Sequence, residues 1–143
     1  MKWISIRNWI KKKNFFKNPR KVNSLVGQRG EKEAAFFLHN LGYKILLKNV
    51  KIEGYELDLV CRDKEVLVFV EVKTRSSIQY GFPYEAVDAQ KKRNLIAAAH
   101  AYLKLLKNPV VAYRFDVVEV LFFKGTRPKI THYPNAFGMG SGF

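Results

Sequence analysis

The sequence predicts an α/β domain in which a mixed β-sheet is flanked by helices. Three observations carry that expectation. The elements run helix, three strands, helix, strand; the run Val66-Leu67-Val68-Phe69-Val70-Glu71-Val72 is apolar almost throughout, as in a strand covered on both faces; and two segments repeat apolar residues at helical spacing. At 143 residues the chain is the size of a single domain.

The segment 1–22 reads as an appended arm, because residues 1–26 hold eight Lys and Arg and no acid. Its Trp3, Trp9, Phe15 and Phe16, set among lysines, suit single-stranded bases, a membrane surface or packing against the domain. The domain proper spans 23–123. Its first helix covers Ser24 to Leu41, with Val26, Gly30, Ala34, Leu38 and Leu41 at steps of three or four and Gly42 as the stop. Tyr43–Val50 and Glu56–Cys61 read as strands, and the polar turn Arg62-Asp63-Lys64-Glu65 leads into the central strand. Gly81 and Pro83 punctuate a loop. A second helix runs from about Asp88 to Lys107, with Leu95, Ala98, Ala99, Tyr102 and Leu106 as its apolar stripe and Asn108-Pro109 as its end. A last strand spans Ala112–Phe123, and 124–143 reads as a Gly- and Pro-containing tail without enough apolar periodicity for another element.

Against 26 Lys and Arg stand 12 Asp and Glu, a formal charge of +14. Such an excess favours a polyanionic partner, nucleic acid first and an anionic membrane surface second. The single cysteine, Cys61, excludes an internal disulfide framework and fits a reducing, cytoplasmic setting. No apolar run has the length of a spanning helix. A homodimer stays open. His39, His100 and His132 are too scattered for a metal trio, and Cys61 reads as a small buried thiol.

Charges inside a buried strand need partners or a purpose. Glu71 and Lys73, two apart, point to one face of the central strand, and a hairpin brings Asp58 of the preceding strand beside them. Paired carboxylates at one point suit a hard divalent cation, and a lysine beside them can orient water or offset the charge growing on a phosphate. A structural ion pair, Glu71 with Lys73 or Asp58 with Arg75, is the plain alternative. Glu31 lies at the border of the first helix's stripe, where it can lean toward the sheet. Lys91 stands four residues before Leu95 on the buried line of the second helix, where a lysine is expensive unless it meets a carboxylate or phosphate. Lys92 and Arg93 turn off that line and, with Arg75, suit phosphate contacts. Arg114 and Asp116, two apart in the last strand, read as a structural pair.

Asp58 followed by Glu71-Val72-Lys73 resembles the Asp and (Asp/Glu)-x-Lys signature of the restriction-endonuclease-like nucleases. More closely, the chain resembles the YraN family, bacterial proteins regarded as relatives of archaeal Holliday-junction resolvases. The similarity runs through GQRGEKEAAFFLHNLGYKIL (27–46), ELDLV (56–60), VFVEVKTR (68–75), YGFPYEAV (80–87), QKKRNLIAAAHAYL (90–103), RFDVVEV (114–120) and ITHYPNAF (130–137). It implies a restriction-endonuclease-like mixed sheet flanked by helices and an endonuclease cutting branched or otherwise structured DNA with Mg or Mn. A non-catalytic DNA-binding module of the same fold is the alternative. By position, Glu31 is the family's first-helix acid, Asp58 and Glu71 its metal carboxylates and Lys73 its signature lysine. One departure concerns the family's Gly directly before the Glu of Glu-x-Asp: here Gly54 stands one place earlier and Tyr55 adjoins Glu56.

Overall fold

A computed structural model of the protein describes residues 25–76 and 88–138. The arm at 1–22 and the loop of Gly81 and Pro83 lie outside them. The described elements are α1 (Leu25–Asn40), β1 (Lys44–Ile52), β2 (Tyr55–Asp63), β3 (Val66–Arg75), α2 (Ala89–Leu105), β4 (Ala112–Leu121) and β5 (Lys129–Phe137). The strands form one sheet in the order β1-β2-β3-β4-β5. Only β3 and β4 run parallel, with α2 in the connection between them; the other pairs are antiparallel. The fold is therefore the α/β mixed sheet that the sequence predicts, and it agrees with a restriction-endonuclease-like arrangement.

The central strand explains its own composition. Val68, Val70 and Val72 face α1 and pack with Ala34, Ala35 and Leu38, whereas Leu67 and Phe69 face α2 and pack with Leu95, Ala98, Ala99 and Tyr102. Both faces are covered, so the strand needs apolar residues in succession. Helix ends follow local chemistry. Gly42 adopts φ +96 after α1, and the Tyr43 amide donates back to the Leu38 carbonyl, the geometry for which a C-terminal glycine is favoured. At the start of α2 the Asp88 carboxylate accepts the Lys91 amide at 2.8 Å.

The turns define the registers. Glu53 and Gly54 both have positive φ between the paired Ile52 and Tyr55, a two-residue hairpin turn that needs a glycine. Gly54 therefore belongs to the turn, and Glu56 enters a regular ladder with Lys51. The four-residue turn expected at 62–65 is corrected: Arg62 and Asp63 belong to β2, and only Lys64 and Glu65 form the turn between the paired Asp63 and Val66.

A second correction concerns the C-terminal tail. Residues 129–137 form β5, paired with β4 from Leu121↔Lys129 to Phe115↔Phe137. Its stripe is broken by a bulge, by Pro134 and by Asn135 at φ +51. An edge strand tolerates all three because, among the described residues, one of its sides has no ladder to satisfy. Phe137 stacks on Phe115 with centroids 5.0 Å apart.

Close approach of α1 to the sheet depends on Gly30. A Cβ there would overlap the Thr74 hydroxyl and lie 2.8 Å from Thr74 Cβ. Gly30→Ala is expected to cost about 1–3 kcal/mol by overpacking, read as a lower denaturant midpoint. Thr74→Ala in the same chain should recover part of the loss, since it removes the nearest atoms but leaves Cβ.

Candidate active site

The β2–β3 ladder is regular from Asp63↔Val66 to Leu59↔Val70 and stops there. One step further, the same register sets Asp58 opposite Glu71. At this point the Val72 amide donates to Asp58 Oδ2 at 3.0 Å. The carboxylate thus supplies an acceptor for a backbone N–H where the strands part, meeting the demand of a buried amide for a partner. β3 meanwhile continues against β4 as far as Arg75↔Leu121.

Asp58 and Glu71 are 3% and 5% exposed, so two carboxyl groups are buried together. Glu71 Oε1 lies 3.5 Å from Lys91 Nζ on α2 and 3.9 Å from Lys73 Nζ on its own strand. Its other oxygen, Oε2, is buried without a hydrogen-bond partner among the described residues. Burial pushes the Glu71 carboxyl up to about 8; the charge of Asp58 and a hydrogen bond with it push the same way, and Lys91 and Lys73 oppose them. Two anions this close in a dry place favour sharing one proton or admitting a further cation.

The sequence-derived residues fall into place unequally. Asp58, Glu71, Lys73 and Lys91 converge on the α2 side of the sheet end. Glu31 is buried at 8% on α1 beside Gly30, which abuts Thr74; α1 covers the opposite face of the sheet. Arg75 ends β3 and acts electrostatically on Glu119. Lys92 lies over the Phe137 ring at 5.8 Å. Arg93 is exposed and donates to Gln90 Oε1 at 2.9 Å.

One residue was not singled out from the sequence. Glu119 on β4 is the register partner of Lys73, is 4% exposed and has Oε2 buried without a hydrogen bond from the described residues. Burial raises its carboxyl, with Arg75 and Lys129 opposing. The available signal was an acid inside the apolar run Val117-Val118-Glu119-Val120, the same pattern that marks Glu71.

The other candidates are structural. Arg114 pairs with Asp116 at 2.9 Å and with Asp63 at 3.1 Å, and His132 meets the fully buried Asp116 at 2.8 Å. Cys61 is buried and its thiol is pushed up to about 12 by burial, with the charge of Asp116 adding to the shift.

Whether Asp58 and Glu71 suit a metal turns on their donors. All are oxygens, and Glu71 Oε2 is an unpartnered buried acceptor, as a hard cation requires. Among the described residues no group of three or more His, Cys, Asp or Glu is placed to hold an ion. Two carboxylates fit Mg or Mn, which retain several waters, rather than a calcium cage or a structural zinc centre. Among the described residues no helix is long and apolar enough to cross a membrane.

A family model described as "Uncharacterised protein family UPF0102" matches residues 30–120, a span that includes Glu31, Asp58, Glu71, Lys73 and Lys91. A UPF0102 protein of Trichlorobacter lovleyi is 41% identical over 120 residues, covering 83% of this chain and 94% of the relative. One of Caldanaerobacter subterraneus subsp. tengcongensis is 44% identical over 121 residues, 82% and 99% of the two chains. One of Symbiobacterium thermophilum is 50% identical over 95 residues, 66% and 80% of the two.

The buried pair has a pH consequence. Glu71 binds its proton more tightly folded, at about 8, than at its ordinary 4.5. The stability gained from that proton is complete below about pH 4.5 and lost as pH rises through about 8. Glu119 acts in the same direction. In metal-free buffer the melting temperature should carry a downward component across this window, and Glu71→Gln should flatten it. Asp116 does not contribute there: burial would raise it, but hydrogen bonds from His132, Arg114 and the Asn135 amide overrule that and lower it, so its effect falls at more acid pH. An unchanged slope in Glu71→Gln would place the proton elsewhere.

Proposed function

The chain belongs to the UPF0102 family, which is the YraN family of its sequence resemblance, and we propose that it is a divalent-metal-dependent DNA endonuclease acting on branched or otherwise structured DNA. The observation that carries the reading is the meeting of two buried carboxylates, one with an unpartnered oxygen, and two lysine ammoniums at one end of the sheet. Asp58 and Glu71 would hold Mg or Mn. That ion, when bound, lowers the pKa of a coordinated water and offsets charge on a phosphoryl oxygen.

The chain's own groups divide the remaining work. Asp58 is oriented by the Val72 amide, so one carboxylate oxygen is committed to the backbone. Lys73, loosely held at 3.9 Å from Glu71 and 24% exposed, has the freedom to meet an attacking water or the scissile phosphate. Lys91 holds Glu71 in place from α2. Glu31 supports the sheet end from α1. Arg75, Lys92 and Arg93, with the net charge of +14, supply phosphate contacts that position without reading sequence.

A second reading is a DNA-binding module that keeps the pocket without turnover. It is favoured by the placement of the ammoniums, since both Lys73 and Lys91 already lie against Glu71 where a metal ion would have to bind.

Calorimetry should show Mn binding that Asp58→Ala or Glu71→Ala weakens about tenfold or more, the scale on which removing a group that supports a metal site is felt. Titration in buffers of different ionisation enthalpy should show proton release on binding, because the proton that burial favours on Glu71 must leave. Unaltered Mn affinity in both variants would remove the metal from this pocket.

Cleavage separates the two readings. On junction, flap, single-stranded and duplex DNA with Mg or Mn, Lys73→Ala should cut about 10²-fold more slowly while metal and DNA affinity stay within a few-fold. Asp58→Ala, purified in parallel, should be inactive. A wild type that binds DNA but cuts none of the four would favour the module, and an Asp58→Ala protein as fast as wild type would assign the activity to a contaminant.

A further inference from the structure

β3 and β4 run parallel and end together, and the space outside the carboxyl ends of parallel strands is where open α/β sheets commonly take ligands. A cavity of about 580 Å³ opens there, between the first turns of α1, Ser76 after β3 and the turn after β4. Its size falls within the range of about 300–1,000 Å³ usual for ligand clefts.

The chemistry of the lining is one-sided. Arg29, Lys124 and Arg127 line the cavity, with no Asp or Glu among the described residues of its lining. Among the described residues none of the three cations is ion-paired with a carboxylate. Three like charges around one opening repel each other, and an anion relieves that repulsion. Arg29 is also pre-positioned. Its guanidinium lies 4.7 Å over the ring of Phe122, which is 9% exposed and so held in the core. The ring occupies one face of the guanidinium and leaves its N–H edge for a planar or tetrahedral oxyanion. Ser76 and Thr126 add hydroxyls.

Position narrows the class of anion. Ser76 lies three residues beyond Lys73, about 10 Å along an extended chain at about 3.3 Å per residue. That length matches about three nucleotide steps at about 3.4 Å each. We infer that the cavity formed by Arg29, Ser76, Phe122, Lys124, Thr126 and Arg127 is a phosphate-backbone subsite, which holds a DNA strand a few nucleotides from the bond at Asp58 and Glu71. The assignment rests on the endonuclease reading for its substrate. It adds a second anchor on the α1 side of the sheet, so that the strand is held at two points and the scissile phosphate is placed between the carboxylates and Lys73.

The test is anisotropy with the full chain in EDTA, using a labelled 30-nucleotide single strand and a four-way junction. Arg29→Ala/Lys124→Ala/Arg127→Ala should weaken binding by about tenfold or more, and should flatten the dependence of log Kd on log salt by about 0.7 for each single-strand phosphate that is no longer neutralised. Lys51→Ala/Lys104→Ala, at two exposed positions away from the cavity, should stay within about twofold of wild type as the ordinary effect of removing surface charge. If the triple variant does not fold, Lys124→Ala and Arg127→Ala, in an exposed turn, should each weaken binding by about threefold on the same basis. Cavity variants that match the Lys51/Lys104 control overturn the subsite. So does a change confined to inorganic phosphate or mononucleotide binding. The endonuclease reading is judged separately, by Asp58→Ala in the cleavage assay. If the cavity variants lose DNA binding while wild type cuts nothing, the subsite stands and the enzyme falls; if they keep DNA binding while Asp58→Ala abolishes cutting, the enzyme stands and the subsite falls.

Discussion

Two carboxyl groups buried side by side are the constraint on which this end of the molecule is organised. The pair is not held there without help, because burial and the charge of Asp58 both favour the neutral form of Glu71. The structure supplies that help from three directions: the Val72 amide on β3, Lys73 two residues along the same strand, and Lys91 from α2. Each source depends on a different part of the fold. The amide is available because β2 leaves β3 after Leu59↔Val70, and Lys91 is in reach because α2 packs across Val60, Leu67 and Phe69.

The opposite face shows what buried charge looks like when it is fully satisfied. Asp116 is 0% exposed and receives Arg114, His132 and the Asn135 amide, while Arg114 continues to Asp63 and the Tyr43 hydroxyl. This network ties β5 and the turn before β1 to β4, and it lowers the Asp116 carboxyl even though burial alone would raise it. Glu71 is shifted the other way and keeps an oxygen without a hydrogen bond. The contrast between a satisfied acid and a partly satisfied one, on neighbouring strands, is the physical ground on which Glu71 rather than Asp116 is proposed for a chemical role. Glu119 resembles Glu71 more than Asp116, being buried, raised and short of one hydrogen bond.

Much of the architecture was legible because local chemistry and global packing agree. Gly42 ends α1, Asp88 caps α2, and the apolar run of β3 is covered on both faces. The failures share a cause. β5 carries Pro134, a bulge and half-exposed residues, so its strand character comes from pairing with β4 and not from its own periodicity. A four-residue β2–β3 turn, as polarity alone suggests, would set Asp58 across from Phe69. With Lys64-Glu65 as the turn, the register leads Asp58 to Glu71.

The sequence by itself determined the composition of the site: two acids and a lysine at spacings that alternation places on one face, and a further lysine on the buried line of a helix. Those are periodicity arguments, and periodicity acts within single elements. What the tertiary structure decided is which elements meet. The approach of Lys91 to Glu71, the unpartnered Glu71 oxygen, the place of Glu119 beside Lys73, and the gathering of Arg29, Lys124 and Arg127 around one cavity join residues from separate elements. Such joins are set by strand register and by the faces on which α1 and α2 pack, and these emerge only when the whole core closes.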